Sequence, residues 1–344
     1  MKATIVYSSI FLGHRPPHRH PEAPERLRVA LSALQRAGLP IEVLEPVRAG
    51  VSSLEEIHDP EYIGLIEMLS GIAPTSIDED TYVSEDTFAV ALHAAGASMQ
   101  AVRVSEETGR PVVALVRPPG HHAGRRGRAM GTPTQGFCIF NNAAVAWTSA
   151  REERTCILDF DAHHGNGTQE IFYSNPKVLH IDVHQDPQTL YPGTGFPEDI
   201  GSGEARGTKV NIPLPPNSGD DVLREVLEEI VLPIIDQFKP RVLIVSAGFD
   251  AYADDGLAHL RLTSSSYYSL GSLVRELPSR AKSIVLEGGY SKGLEKGLPA
   301  FVAGLLGLDD PIREKETVSR DPVRSEARTA ISRVKRVLRG YWSF

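Results

Sequence analysis

Apolar and polar positions along this chain fall into blocks, and the blocks change period. Val112–Val116, Thr155–Asp159, Val178–Val183 and Arg241–Ser246 are short runs dominated by apolar residues. Lys2–Ser8 and Ser283–Leu286 are two more. Short apolar runs of this kind predict strands buried on both faces. Between them the period is helical. Leu27, Leu31 and Leu34 make one stripe within Arg26–Ala37, and Gly38 stops it. Leu54–Leu69 predicts a helix interrupted at Asp59-Pro60. Thr87–Glu107 predicts a long alanine-rich helix with Ser84 or Asp86 as its cap. Asn141–Ala150, Thr168–Tyr173, Asp220–Phe238 (disturbed near Pro233), Ser264–Leu277 and Leu294–Leu306 predict further helices. Short strands alternating with helices predict an α/β fold built on a mainly parallel sheet.

Nothing in this pattern divides the chain before residue 308. Beyond it, Asp309–Arg328 is charged and predicts a partly loose segment. Val323, Ala327, Ile331, Val334 and Leu338 then form a helical stripe. We read 1–308 as one domain. Residues 309–344 are a charged segment and a helix that packs on that domain or makes a homo-oligomer contact.

Composition narrows the function classes. The chain has 344 residues, 41% of them hydrophobic and 23% charged, with a net charge of −8. That acidic balance argues against direct binding of nucleic acid, which favours basic surfaces. No apolar run approaches the ~18 residues that span a bilayer. The N-terminal apolar stretch is too short for a secretory leader, so a cytoplasmic protein is expected. Cys138 and Cys156 sit in apolar surroundings and predict buried thiols. The loop around His14, His18 and His20 contains three prolines; its histidines have no frame that would make them ligands. The acidic run 78–86 is either a solvated loop or a rim that attracts cationic substrate.

The chemistry-bearing residues follow the strands. RPPGHH comes after Val116, DFDAHHGNG after Leu158, HQDP after Val183, SAGFD after Val245 and EGGY after Leu286. In an open α/β sheet, ligands bind beyond the carboxyl ends of the strands. Asp159, Asp161 and His163 are spaced at i, i+2, i+4, which on extended backbone places all three on one face. Buried charge there demands a partner, and a metal ion is the simplest. Asp161, His163 and Asp250 supply two carboxylates and an imidazole, leaving a position open, as in catalytic sites. His121-His122 offers a proton acceptor and a neighbour that tunes it. Tyr290 offers a donor to a developing oxyanion.

These segments together resemble the zinc-dependent histone deacetylase superfamily, with its arginase-like α/β fold. The matching stretches are HPEAPERL (20–27), RPPGHHA (117–123), GFCIFNN (136–142), DFDAHHGNGTQEIFY (159–173), YPGTG (191–195), SAGFDA (246–251) and EGGY (287–290). They look most like the class II and acetylpolyamine amidohydrolase branch. The resemblance implies one catalytic zinc on Asp161, His163 and Asp250. It implies His122 as general base and acid, with His121 as its partner. Asp159 stands behind His121 and Asn166 behind His122, and Tyr290 is the oxyanion donor. It implies that Phe137, Tyr191, Gly136 and Gly289 line a tunnel for an N-acetylated amine, with Asp80 at its rim. It also implies a structural potassium near Asp159, Asp161 and His163, where Asp182 replaces a customary serine. Between His122 and Phe137 lies a longer loop that brings Arg125, Arg126 and Arg128 either to the mouth or into plain solvent.

Acetyl-lysine and acetylpolyamine are the alternative substrates. A two-manganese ureohydrolase is disfavoured, because Gly165 and Tyr252 occupy positions that would have to be carboxylates. A non-catalytic acyl-binding module is disfavoured by the complete set of reactive residues.

Overall fold

The computed structural model describes residues 2–150 and 153–344. Its centre is an eight-stranded sheet in which every pairing is parallel. In chain order the strands are β1 (Ala3–Val6), β2 (Ile41–Leu44), β3 (Val112–Ala114), β4 (Thr155–Asp159), β5 (Val178–Gln185), β6 (Lys209–Leu214), β7 (Val242–Ala247) and β8 (Ala281–Leu286). Their spatial order is β6-β5-β4-β7-β8-β3-β1-β2. Helices flank the sheet. Thr87–Thr108 packs with Asn142–Trp147 against the middle strands. Ser264–Glu276 packs with Leu298–Leu306. This is the arginase/deacetylase-like α/β fold that the motifs imply.

From β4 the chain runs outward through β5 to β6, then returns to the other side of β4 as β7. The order therefore reverses between β4 and β7. That is the place where an open parallel sheet leaves a crevice beyond its carboxyl ends.

Two strands escape the reading of the sequence. β2 has exposed Glu42 and Val43 at its centre, so it lacks the apolar run of a buried strand. β6 reads KVNIPL, with Lys209 and Asn211 fully or nearly fully buried. Its polar positions face a polar layer inside the protein, which hides it from any hydrophobic pattern. The helix expected over Asp220–Phe238 forms in three parts, Asp220–Val226, a π turn at Leu227–Val231, and Leu232–Phe238. Pro233 has no N–H for the regular ladder, and the π turn absorbs the mismatch just before it. Leu54–Leu69 resolves into Val51–Glu55 and Pro60–Gly71, with Pro60 in the first helical turn. Neither expected side chain caps Thr87–Thr108. Instead the Thr87 hydroxyl accepts the Ser84 N–H at 2.7 Å. Both cysteines are buried free thiols.

The charged stretch expected to be partly loose is tied down. Thr317 N donates to Asp220 Oδ2 at 2.7 Å and Ser319 Oγ to Asp221 Oδ1 at 2.7 Å. The following helix, Asp321–Leu338, buries Ala327, Ile331, Val334 and Leu338 and lies against β6, covering that end of the sheet.

Candidate active site

The strand β4 ends at Asp159, so the three-residue spacing does not continue on extended backbone. The chain turns instead. Asp159 Oδ1 accepts the Asp161 N–H at 3.0 Å, and Asp161 Oδ1 accepts the His163 N–H at 2.9 Å. These short side-chain-to-backbone turns separate the roles of the three residues. Asp159 swings toward His121, while Asp161 and His163 meet Asp250 from the end of β7.

His163 Nδ1 lies 3.1 Å from Asp161 Oδ1 and 2.9 Å from Asp250 Oδ2. The three side chains offer atoms within 4.8 Å of one another. Asp161 Oδ2 also accepts the Gly288 N–H at 2.7 Å, and Asp250 Oδ1 the Ala162 N–H at 2.9 Å. These backbone donors orient both carboxylates so that Asp161 Oδ1 and Asp250 Oδ2 face the imidazole. A Cβ at Gly288 would come within 2.4 Å of Asp250 Oδ2 and 2.5 Å of Asp161 Oδ2, so only glycine fits there. Two carboxylates and an imidazole in a buried cradle are a donor set for a borderline divalent ion such as zinc. The residues present fit a metal.

His121 and His122 follow β3, across the sheet from β4. Their outer nitrogens are held. His121 Nδ1 is 3.0 Å from Asp159 Oδ2. His122 Nδ1 is 2.7 Å from Asn166 Oδ1, an oxygen that only accepts, so this nitrogen carries the hydrogen. Asn166 is oriented by its own donation to Ala129 O at 3.1 Å. The electrostatics separate the pair. Burial opposes charge on His121, yet Asp159, Asp161 and Glu287 hold its pKa well above the ordinary histidine value. Burial, His121 and His163 push His122 well below it.

Aromatic rings surround this centre. The Tyr191 ring is 5.1 Å from that of His122, and its hydroxyl donates to Thr134 O at 2.9 Å. Phe137 stands 5.9 Å from Tyr290, edge to face. Phe137 holds φ at +69°, a left-handed conformation that costs a bulky residue about 1–3 kcal/mol. Gly136 precedes it at φ +53°, with room for no Cβ against His122. Asp80 is tied to this wall indirectly: Thr81 donates to Asp80 Oδ1 at 2.8 Å, and Phe137 N donates to Thr81 Oγ1 at 3.2 Å. His20, one of the three loop histidines, bonds Asp80 O at 3.1 Å and stacks edge-on against Phe137. Its neighbour His14 is buried against Thr87. A surface cavity of about 740 Å³ reaches Tyr290 beside His18, His20 and Arg26.

Three residues without an assigned role support the site. Arg26 Nε donates to Gly289 O at 2.7 Å, and its guanidinium lies 4.8 Å from the Tyr290 ring centre. Glu287 Oε2 accepts the N–H of Gly120 at 2.8 Å and of His121 at 3.2 Å. Asp255 accepts the N–H of Tyr290. Arg26 and Glu287 lie inside recognised motifs, and Asp255 follows Asp250 closely, but only contact reveals their work. The three loop arginines are exposed. Arg126 is engaged by Asp59 and Glu61 at the start of Pro60–Gly71, and Arg128 by Pro133 O.

Comparison with known proteins places the chain in a family. Residues 20–305 match the Histone deacetylase domain. An uncharacterized protein of Methanocaldococcus jannaschii is 41% identical over 98% of this chain and 97% of its own. A protein of Archaeoglobus fulgidus named "Probable deacetylase" is 38% identical over 99% of both. The histone deacetylase-like amidohydrolase of Pseudomonas aeruginosa is 34% identical over 89% of this chain and 80% of its own. The crystal structure of the HDA15 HD domain superposes with a TM-score of 0.87 at 31% identity, covering 99% of this chain and 95% of that one. The chain belongs to the histone deacetylase family of hydrolases.

Proposed function

We infer that this protein is a deacetylase that hydrolyses an N-acetylated amine, of the acetyl-lysine or acetylpolyamine kind, releasing acetate. The observation that carries this reading is one convergence. An Asp161–His163–Asp250 cradle, two histidines with anchored outer nitrogens, and Tyr290 all meet at the carboxyl ends of adjacent strands.

Asp161, His163 and Asp250 would hold one zinc, which supplies a Lewis acid for the amide carbonyl and the attacking water. His122 carries its hydrogen on Nδ1, so its Nε2 lone pair is free to take a proton from that water. Its low basicity keeps it ready as a base near neutral pH. His121, held charged against Asp159, supports developing negative charge and keeps its neighbour neutral. The Tyr290 hydroxyl donates to the oxyanion as the carbonyl carbon becomes tetrahedral. The proton then returns to the leaving nitrogen. Phe137 and Tyr191 hold the apolar stem of the amine, and Asp80 receives polar groups at the rim.

The test is acetate release from an acetyl-lysine peptide and from acetylputrescine, before and after metal removal and zinc return. Turnover that is lost with the metal and restored with it supports the reading. A protein silent on acetylated amines of every class, with metal bound at the cradle, overturns it.

A further inference from the structure

A second group of ligating side chains lies one strand away from the cradle. Asp159, His180 and Asp182 are fully buried and offer atoms within 4.8 Å of one another. Strand register explains the grouping. Asp159 on β4 pairs with Asp182 on β5, and His180 precedes Asp182 by two residues on the same face. A Cβ at Gly165 would lie 2.6 Å from Asp159 Oδ2 and 3.3 Å from Asp182 Oδ2, so the two carboxylates converge there.

His180 is the observation that asks for a ligand. Among the described residues neither of its ring nitrogens has a hydrogen-bond partner, although the side chain is wholly buried. Its Nε2 points toward Asp182, 3.7 Å from Oδ2. Orphaned buried polar atoms are rare and call for a missing partner. Asn211 on β6, which pairs with Asp182 on β5, also has no partner for its Oδ1 among the described residues. The neighbouring groups are occupied elsewhere. His184 uses Nδ1 on Asp182 Oδ1 at 2.7 Å and Nε2 on Gly195 O at 3.0 Å. His164 bonds Thr194 and Gln169. Lys209 sends its ammonium to the carbonyl of Val178 at 2.7 Å.

The resemblance places a potassium ion in this region. The buried His180 imidazole among these side chains does not suit it. Hard cations without d-electron chemistry take oxygen ligands, whereas imidazole selects transition metals. We propose that Asp159, His180 and Asp182 form a second, fully buried site for a divalent transition-metal cation, distinct from the Asp161–His163–Asp250 cradle. The ion satisfies the orphaned imidazole and joins two facing carboxylates. It also fixes the Asp159 carboxylate, whose Oδ2 bonds His121 Nδ1.

Metal content of the purified full-length protein tests this, after loading with zinc or manganese, exchange into potassium buffer and quantification by plasma mass spectrometry. The expected stoichiometry is two divalent ions per chain. Asp250→Asn should retain one, His180→Leu should retain one, and the double variant none. The Asp250→Asn arm separates failure of this site from failure of the cradle. Melting temperature, followed by circular dichroism, should rise with the divalent ion in Asp250→Asn and not in the double variant. If His180→Leu does not fold, His180→Gln and the wild-type stoichiometry decide. A single equivalent in the wild type that Asp250→Asn abolishes overturns the proposal. So does a melting temperature in Asp250→Asn that answers to potassium but not to divalent ions.

Discussion

The carboxylate of Asp255 accepts the main-chain N–H of Tyr290 at 2.7 Å. The same carboxylate takes the N–H of Ser291 at 2.9 Å and of Gly293 at 2.8 Å. One buried side chain thus fixes the turn that presents the phenol. Asp255→Ala leaves three donors without their acceptor and should lose about 1–3 kcal/mol of stability. Its kcat should fall more than its KM changes. Urea denaturation and steady-state kinetics on an acetyl-lysine peptide check both. An unchanged kcat in a folded variant would remove Asp255 from this positioning role.

Burial pushes the Asp255 carboxyl up to about 6. An unfolded aspartate titrates near ~3.9. Between those values the folded state binds the proton and the unfolded state does not, so this group adds stability as pH falls and loses it as pH rises through 6. Activity should move the other way. Protonated Asp255 is a poorer acceptor for three N–H groups, so kcat should decline as pH drops through about 6. In Asp255→Asn that limb should flatten. A pH–rate profile of the two proteins, with stability followed in parallel, decides the point.

Tyr290→Phe keeps the ring against Phe137 and removes the hydroxyl. Loss of one oxyanion donor costs about 2.7–4 kcal/mol of transition-state stabilisation, or roughly 10²–10³ in kcat. KM should be little altered. Near-normal turnover would reassign the donor.

Asn166→Leu deprives His122 Nδ1 of its acceptor at 2.7 Å. Outer partners of this kind are worth roughly 10–100-fold in activity. Metal content should stay at the wild-type level, because Asn166 touches none of the cradle residues through a hydrogen bond in the described structure. Parallel loss of metal and activity would point to collapse of the site rather than to a misoriented base.

Gly288→Ala drives a methyl group to within 2.5 Å of carboxylate oxygens from both Asp161 and Asp250. The cradle must open, so the variant should bind zinc at least tenfold more weakly while its circular dichroism spectrum is preserved. Competition with a chromogenic chelator measures the affinity.

Arg26→Met removes the guanidinium that holds Gly289 O and faces Glu22, a carboxylate also bound by Arg117. Breaking a buried ion pair costs about 3–5 kcal/mol, and the shared partner Arg117 should keep the loss toward the lower figure. A drop in melting temperature together with reduced kcat is expected.

The polar residues at the strand ends were readable from the chain alone. Strands of Val, Ile and Leu that stop abruptly at Asp, His and Gly announce both a parallel sheet and a site at its carboxyl edge. The cradle residues and both histidines follow from that punctuation and from the motif resemblance. Tertiary structure decided what proximity alone can decide. It separated Asp159 from Asp161 by ending β4 between them, and it brought Asp250 to His163 across 87 residues. It gave Asp255, Glu287 and Arg26 their work, because an acceptor of backbone N–H groups leaves no periodic trace in sequence. It also hid β6, whose buried Lys209 and Asn211 obey a polar interior rather than an apolar one. The physical reason is the same in each case. Hydrophobic periodicity records burial against an oily core, whereas the polar layer around Asp159, His180 and Asp182 is assembled by register between strands far apart in the chain.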